Sequence, residues 1–183
     1  MKFFSRNENN NIVFDFKTFE DLIRTVITSQ DIIIDKSSFP SLDIGLRSAA
    51  YRNLGLGYTN LGGLLMWLGL PYDSDEGRFV AAELTSAMTG IAYSVSADLA
   101  DKVGSFSKFE DNESSFRNVL KLHYDATQQL FENVMFPKVN GEEFYTKTIR
   151  DASRIWKDVI KRKQFRNAQV TLLAPCGTIS FLM

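Results

Sequence analysis

The sequence is poor in the residues that hold metals and covalent cross-links. Its 183 residues include one cysteine, Cys176, and one histidine, His123. A single thiol forms no intrachain disulfide, and one His with one Cys cannot complete a Cys/His zinc cage. A disulfide scaffold is therefore excluded, no metal site is expected, and a reducing, cytoplasmic setting fits. Charge of one sign is also lacking: 21 Lys and Arg stand against 22 Asp and Glu, a net charge of −1. Broad nucleic-acid surfaces work by displacing phosphate counterions with clustered cations, so no nucleic-acid partner is expected, while a local phosphate site stays open. Long apolar runs are missing too. The longest, Leu61 to Leu70, falls far short of the roughly 18–20 residues of a membrane-spanning helix, and after Met1 the chain turns polar at Ser5 without the apolar core of a secretion signal. No membrane association is expected.

What is present is an ordinary globular composition, 44% hydrophobic and 23% charged, in a length typical of one domain. Residues 1–11, polar and Asn-rich from Ser5 to Asn11, read as a flexible lead-in, and residues 12–183 as the folded part. Thr18 is placed to cap a helix whose Phe19, Leu22, Ile23, Val26 and Ile27 recur at helical spacing. Ser37, Ser38, Pro40 and Ser41 predict a turn. Four glycines crowd the nine positions from Gly55 to Gly63, which points to close backbone packing, with Leu54 to Tyr58 a short buried strand and a helix from about Thr59 to Leu68 ended by Gly69 and Pro71.

Asp73 to Glu76 has a capping-box pattern and opens the longest helix, with Val80, Leu84, Ala87, Met88, Ile91, Val95 and Leu99 on one face and Gly104 at its end. Ser114 or Ser115 opens the next, facing inward with Phe116, Val119, Leu120, His123, Leu130, Phe131 and Val134 and stopped by Pro137 and Gly141. A further helix is predicted from about Glu142 to Lys163, with Ile149, Ala152, Ile155, Trp156, Val159 and Ile160 inward. Ala168 to Leu173 then has the β-branched and apolar content of a strand and leads into Ala174-Pro-Cys-Gly-Thr-Ile-Ser180. The chain stops three residues later, as if truncated before the element that should follow the strand. The fold class is α/β and predominantly helical.

Few of these residues suggest chemistry. His123 lies on an apolar helical face, where a core or boundary histidine is the simplest account. Asp73, Asp75, Glu76, Glu142 and Glu143 occupy first helical turns, where the helix dipole accounts for them, and Lys161 to Lys163 form a cationic helix end. Gly55-x-Gly57 lacks the third glycine of a dinucleotide loop. The turn at Ala174 to Ser180 differs: Pro175 fixes it, Gly177 admits a close backbone approach, and Thr178, Ile179 and Ser180 present N–H groups at a helix start, where anions bind. It has no Gly-Lys-Ser/Thr and is not a P-loop; an ordinary capped turn is the competing account.

The wording of two segments goes further. Arg52-Asn-Leu-Gly-Leu-Gly-Tyr-Thr-Asn-Leu-Gly-Gly-Leu-Leu-Met66, Gly69-Leu-Pro-Tyr-Asp-Ser-Asp-Glu-Gly-Arg78, Met88-Thr-Gly-Ile-Ala-Tyr93 and Ser96-Ala-Asp-Leu-Ala100, and then Arg166 to Met183, resemble the catalytic subunit of adenosylcobalamin-dependent (class II) ribonucleotide reductases. The stretch Ser105 to Lys163 carries little of this signature. The resemblance implies a late portion of a ten-stranded α/β barrel, adenosylcobalamin as cofactor, and a ribonucleotide substrate whose 2′-hydroxyl is reduced by thiyl-radical chemistry. It also implies the remainder of the reductase chain as partner and a homodimer when complete. It places Pro175, Cys176, Gly177, Thr178 and Ile179, with Ser180 beside them, on the substrate phosphates.

That chemistry takes three cysteines, and the lone Cys176 stands in Ala-Pro-Cys-Gly, outside the family's Asn-x-Cys-x-Glu loop. The family more usually has Thr at this position, and a thiol is the weaker donor. No residue of the chain is assigned a catalytic role, and the isolated chain is expected to be inactive. Two other accounts remain: a non-enzymatic helical phosphate-binding or interaction module, and a portion of a class I reductase large subunit.

Overall fold

Side-chain oxygens start three of the helices, and they are not the ones the sequence pattern suggests. The computed structural model describes residues 3–132, 142–175, 177 and 178. Its elements are β1 (Phe4–Arg6), β2 (Ile12–Phe14), α1 (Phe16–Lys36), α2 (Leu42–Tyr51), α3 (Leu61–Leu68), α4 (Asp75–Val103), α5 (Phe109–Glu132) and α6 (Glu142–Val159). α1 is capped by Asp15, whose carboxylate accepts from the Thr18 N–H at 3.0 Å; Thr18 is the recipient of the cap and not its source. Ser41 caps α2, a helix absent from the sequence expectation of a turn. α2 buries none of its residues and leaves Leu42, Ile44 and Leu46 exposed, so it has no inward apolar stripe to reveal it. α4 begins at Ser74, whose Oγ accepts from Gly77 N–H at 3.0 Å, while Asp73 and Asp75 both pair with Arg78. The capping box expected from Asp73 to Glu76 is not formed.

The stretch Ser5–Asn11, expected as a flexible lead-in, is folded into a hairpin. β1 pairs antiparallel with β2, Phe4 opposite Phe14 and Arg6 opposite Ile12. Asn7 closes the turn by accepting from the N–H groups of Asn9 and Asn11, and Asn10 takes a left-handed φ of 62°. Asparagine here is turn chemistry rather than a sign of mobility.

α4 is the axis of the core and packs against α6, α1 and α5. Val80, Ala87, Met88, Ile91 and Val95 are buried as their spacing predicts. Against them α6 sets Ile149, Ala152, Trp156 and Val159, also as predicted, although the helix ends at Val159 rather than at Lys163. The two helices approach closest at Gly90, where an added Cβ would lie 2.9 Å from the Trp156 ring nitrogen; that nitrogen donates to the Ser86 carbonyl at 3.0 Å. α5 starts at Phe109, before Ser114, because Phe109 belongs to an aromatic cluster with Phe106, Phe116 and Phe165. Of the face predicted for α5, Phe116 and Leu120 are buried, but Val119 and Phe131 are exposed. Val134, Pro137 and Gly141 lie outside the described residues.

Two extended segments lie beside this helical layer. Residues 54–56 and 168–172 run parallel, joined at Leu56 and Thr171 and bonded from Leu54 N–H to Gln169 O, Leu56 N–H to Val170 O and Leu172 N–H to Leu56 O. The crowded glycines matter most at Gly57, where a Cβ would sit 2.5 Å from the Leu172 carbonyl oxygen. Gly62, by contrast, faces open space. The architecture among the described residues is thus mostly helical with one parallel pairing and one short antiparallel hairpin. No described helix is long and apolar enough to cross a membrane.

Candidate functional site

Ligands of α/β folds bind beyond the carboxyl ends of parallel strands. Here those ends are residues 57–58 of one segment and residues 173–178 of the other. Pro175, Gly177 and Thr178 lie at that end and are exposed to solvent. Gly177 has open space where a side chain would stand, so the loop backbone is approachable from outside. Cys176, Ile179 and Ser180, predicted with them, lie outside the described residues.

Beside this end lies a cleft of about 460 Å³ between α4 and α5, lined among others by Tyr58, Thr85, Ser86, His123, Trp156 and Leu173. The Tyr58 hydroxyl meets Thr85 Oγ1 at 2.8 Å, and Ser86 Oγ meets Thr127 Oγ1 at 2.6 Å. Of the core and boundary positions expected for it, His123 takes the boundary. It stands on the exposed wall of the cleft with its ring stacked on Trp156, 5.4 Å between centroids and 16° between planes. Desolvation against that wall holds its pKa below the ordinary histidine value, which favours the neutral ring. Among the described residues no three His, Cys, Asp or Glu side chains come together as metal ligands.

The opposite, amino end of the pair carries a charge cluster that periodicity does not reveal. Arg52, only 4% exposed, ends α2 in a left-handed conformation, φ 50° and ψ 48°. Its guanidinium donates from Nε to Asp31 Oδ1 at 2.9 Å, from Nη2 to the Asp31 carbonyl at 2.8 Å, and from Nη1 to Asp35 Oδ1 at 2.6 Å. Asn167 donates its amide to Asp31 Oδ1 at 2.8 Å and to the Arg52 carbonyl at 3.0 Å. Arg166 reaches Asp31 Oδ2 at 3.4 Å. The Arg52 hydrogen bond holds the Asp35 carboxyl below the usual carboxylate range. Of the other acids and bases weighed from sequence, Arg162 pairs with Asp98 and Asp101 of α4, and Asp73 and Asp75 hold Arg78; the side chains of Glu142 and Glu143 lie outside the described residues.

Comparison with known proteins decides what these elements belong to. The family model of the ribonucleotide reductase barrel domain matches residues 1–183. The chain belongs to that family. It is 38% identical over its whole length to a vitamin B12-dependent ribonucleotide reductase of Streptomyces clavuligerus, covering 18% of that protein. It is 39% identical over 93% of its length to one of Rhodopirellula baltica, covering 16% of it, and 36% identical over 92% of its length to one of Agrobacterium fabrum, covering 14%. The chain thus spans less than a fifth of these relatives. The parallel pair and its flanking helices are accordingly part of a reductase barrel domain.

Proposed function

We propose that this chain is the substrate-phosphate-binding part of a vitamin B12-dependent ribonucleotide reductase, an enzyme that converts ribonucleotides to 2′-deoxyribonucleotides. Residues 12–183 form a late portion of the ten-stranded barrel, with segments 54–58 and 168–173 two of its neighbouring strands. The remaining strands and the radical-bearing and electron-donating cysteines come from the remainder of the reductase chain, in the cytoplasm. The completed protein is a homodimer with no nucleic-acid partner.

The observation that carries this reading is the place of Pro175, Gly177 and Thr178, exposed at the carboxyl end of a parallel pair in a barrel-domain chain. Backbone N–H groups there, with the Thr178 and Ser180 hydroxyls, donate to phosphate oxygens, and Pro175 limits the conformations the loop must give up on binding. The thiol of Cys176 adds little as a donor, so its position contributes through the backbone.

Adenosylcobalamin, when bound to the complete enzyme, supplies the initiating radical. The described residues of this chain do not by themselves form its site. The cleft beside the loop, about 460 Å³, suits a small ligand and is too small for a corrin carrying its nucleotide tail. The chain's own work is to hold and orient phosphate.

Titration of the isotopically labelled chain with a ribonucleoside diphosphate or triphosphate tests this by amide chemical shifts. Shifts concentrated at Ala174 to Ser180, and their loss in Gly177→Asp, are expected. Saturable shifts elsewhere with none in the loop overturn it.

A further inference from the structure

The side chains of the parallel pair define its register poorly. Val170, Thr171, Leu172 and Leu173 form a nearly continuous apolar run without polar alternation, and Gly55 and Gly57 on the neighbouring segment contribute no side chain; of the run only Val170 is fully buried, while Leu172 and Leu173 are exposed, so few side chains lock the two segments together. Yet the register decides how far Pro175, Gly177 and Thr178 project past the partner strand. A two-residue slip moves them by roughly 6–7 Å.

The polar cluster at the amino end supplies the missing constraint. It is balanced, two carboxylates against two guanidinium groups, and it ties α1, the end of α2 and α4 to the start of the second segment. Asp31 and Asp35 come from α1, Arg52 from the end of α2, and Arg166 and Asn167 from the start of the second segment. Ser96 of α4 accepts from Arg166 N–H through its carbonyl at 3.0 Å and from Asn167 N–H through its hydroxyl at 2.9 Å. The Asn167 amide bridges Asp31 and the Arg52 carbonyl, so residue 167 can occupy only one place beside residue 52.

Two features separate this cluster from simple stabilisation. Buried ion pairs are often no better for stability than apolar residues of the same volume, and their attested use is to specify one arrangement among several. Arg52 moreover ends α2 in a left-handed conformation, its N–H bonded to the Ser48 carbonyl at 2.8 Å, and this cap turns the guanidinium toward Asp31 and Asp35.

We propose that Asp31, acting with Asn167, is a positioning residue for the phosphate loop: it sets the register of 168–173 against 54–56 at one end and thereby places Pro175, Gly177 and Thr178 at the other. This rests on the proposed phosphate-binding role of the loop.

The test uses the chain in a Cys176→Ser background with paired cysteines. Leu56→Cys with Thr171→Cys reports the native register, and Leu56→Cys with Leu173→Cys reports a two-residue slip; parallel neighbours lie within disulfide reach. Inorganic pyrophosphate binding is measured in parallel, without the added cysteines. In Asp31→Asn the native-register disulfide is expected to fall, the slipped one to rise, and pyrophosphate affinity to drop at least about tenfold. Ile149→Ala, a buried deletion far from the pair, lowers stability by a comparable amount and is expected to leave register and affinity unchanged.

Should Asp31→Asn fail to fold, Asn167→Ala carries the same test, because it keeps all four charges and removes only the bridge. Native register and undiminished affinity in the folded variant overturn the proposal, as does an equal loss in Ile149→Ala. If the parent chain binds no pyrophosphate, the phosphate-loop reading fails, while the disulfide yields still decide whether Asp31 sets the register.

Discussion

Glu83 offers the sharpest test of how this core is held together. It sits in the middle of α4, 0% exposed, between the buried Val80 and Ala87. Neither carboxyl oxygen has a hydrogen-bond partner among the described residues. Burial pushes its pKa well above the ordinary 4.5. A buried polar group without a partner costs about 1–3 kcal/mol, and replacing it with an apolar residue of similar shape removes that cost. Glu83→Met is therefore expected to stabilise the chain by about 1–3 kcal/mol, or about 2–4 °C in Tm for each kcal/mol.

The pH dependence gives an independent signature. A carboxyl whose folded pKa is raised binds more protons in the native state than in the unfolded one. Its contribution is intact below the unfolded value of 4.5 and is lost as pH rises toward the folded value. Stability then falls by up to about 1.4 kcal/mol per pH unit in that window. Urea unfolding of wild type, Glu83→Met and Glu83→Gln between pH 4.5 and 8 measures it. The advantage of Glu83→Met should widen with pH, and Glu83→Gln should lose the pH dependence while keeping an unpartnered amide. A Met variant no more stable than wild type, or a gap that stays constant with pH, refutes the reasoning.

Other substitutions probe the remaining contacts. Gly57→Ala drives a methyl group against the Leu172 carbonyl and should abolish protection of the Leu172 amide in hydrogen exchange, whereas Gly62→Ala, facing open space, should not. Gly90→Ala forces α4 from α6 and should destabilise by about 1–3 kcal/mol in urea unfolding. His123 should titrate below 6.5, visible as a change in Trp156 fluorescence in a Trp67→Phe background; because its folded pKa is lowered, the chain loses stability as pH falls from the unfolded value through the folded one. Arg78→Ala, which breaks two exposed pairs with Asp73 and Asp75, should change stability by less than about 1 kcal/mol.

Much of the helical layer was legible because its cause is local. An apolar residue recurring every three or four positions forms a helix wherever something covers that face, and α4 and α6 are central enough for every such stripe to be covered. α2 escaped notice for the converse reason: its apolar residues point to solvent, so no period marks it. The hairpin was hidden by composition, since an Asn-rich heptapeptide reads as mobile until Asn7 is seen closing the turn. His123 shows the limit of a face argument, because a helix face says nothing about where its edge meets solvent.

The sequence by itself determined the family, through motif wording at Arg52 to Arg78 and Arg166 to Met183, and with it the candidate loop at Pro175 to Ser180. Only the tertiary structure brought Asp31, Arg52 and Asn167 together. Those residues are separated by up to 136 positions, and each by itself is an ordinary polar residue in a helix, a cap or a loop. Glu83 is similar: an acid on a helix surface is cheap until other helices close over it. Burial and pairing are properties of the packed chain and leave no period in the sequence to read.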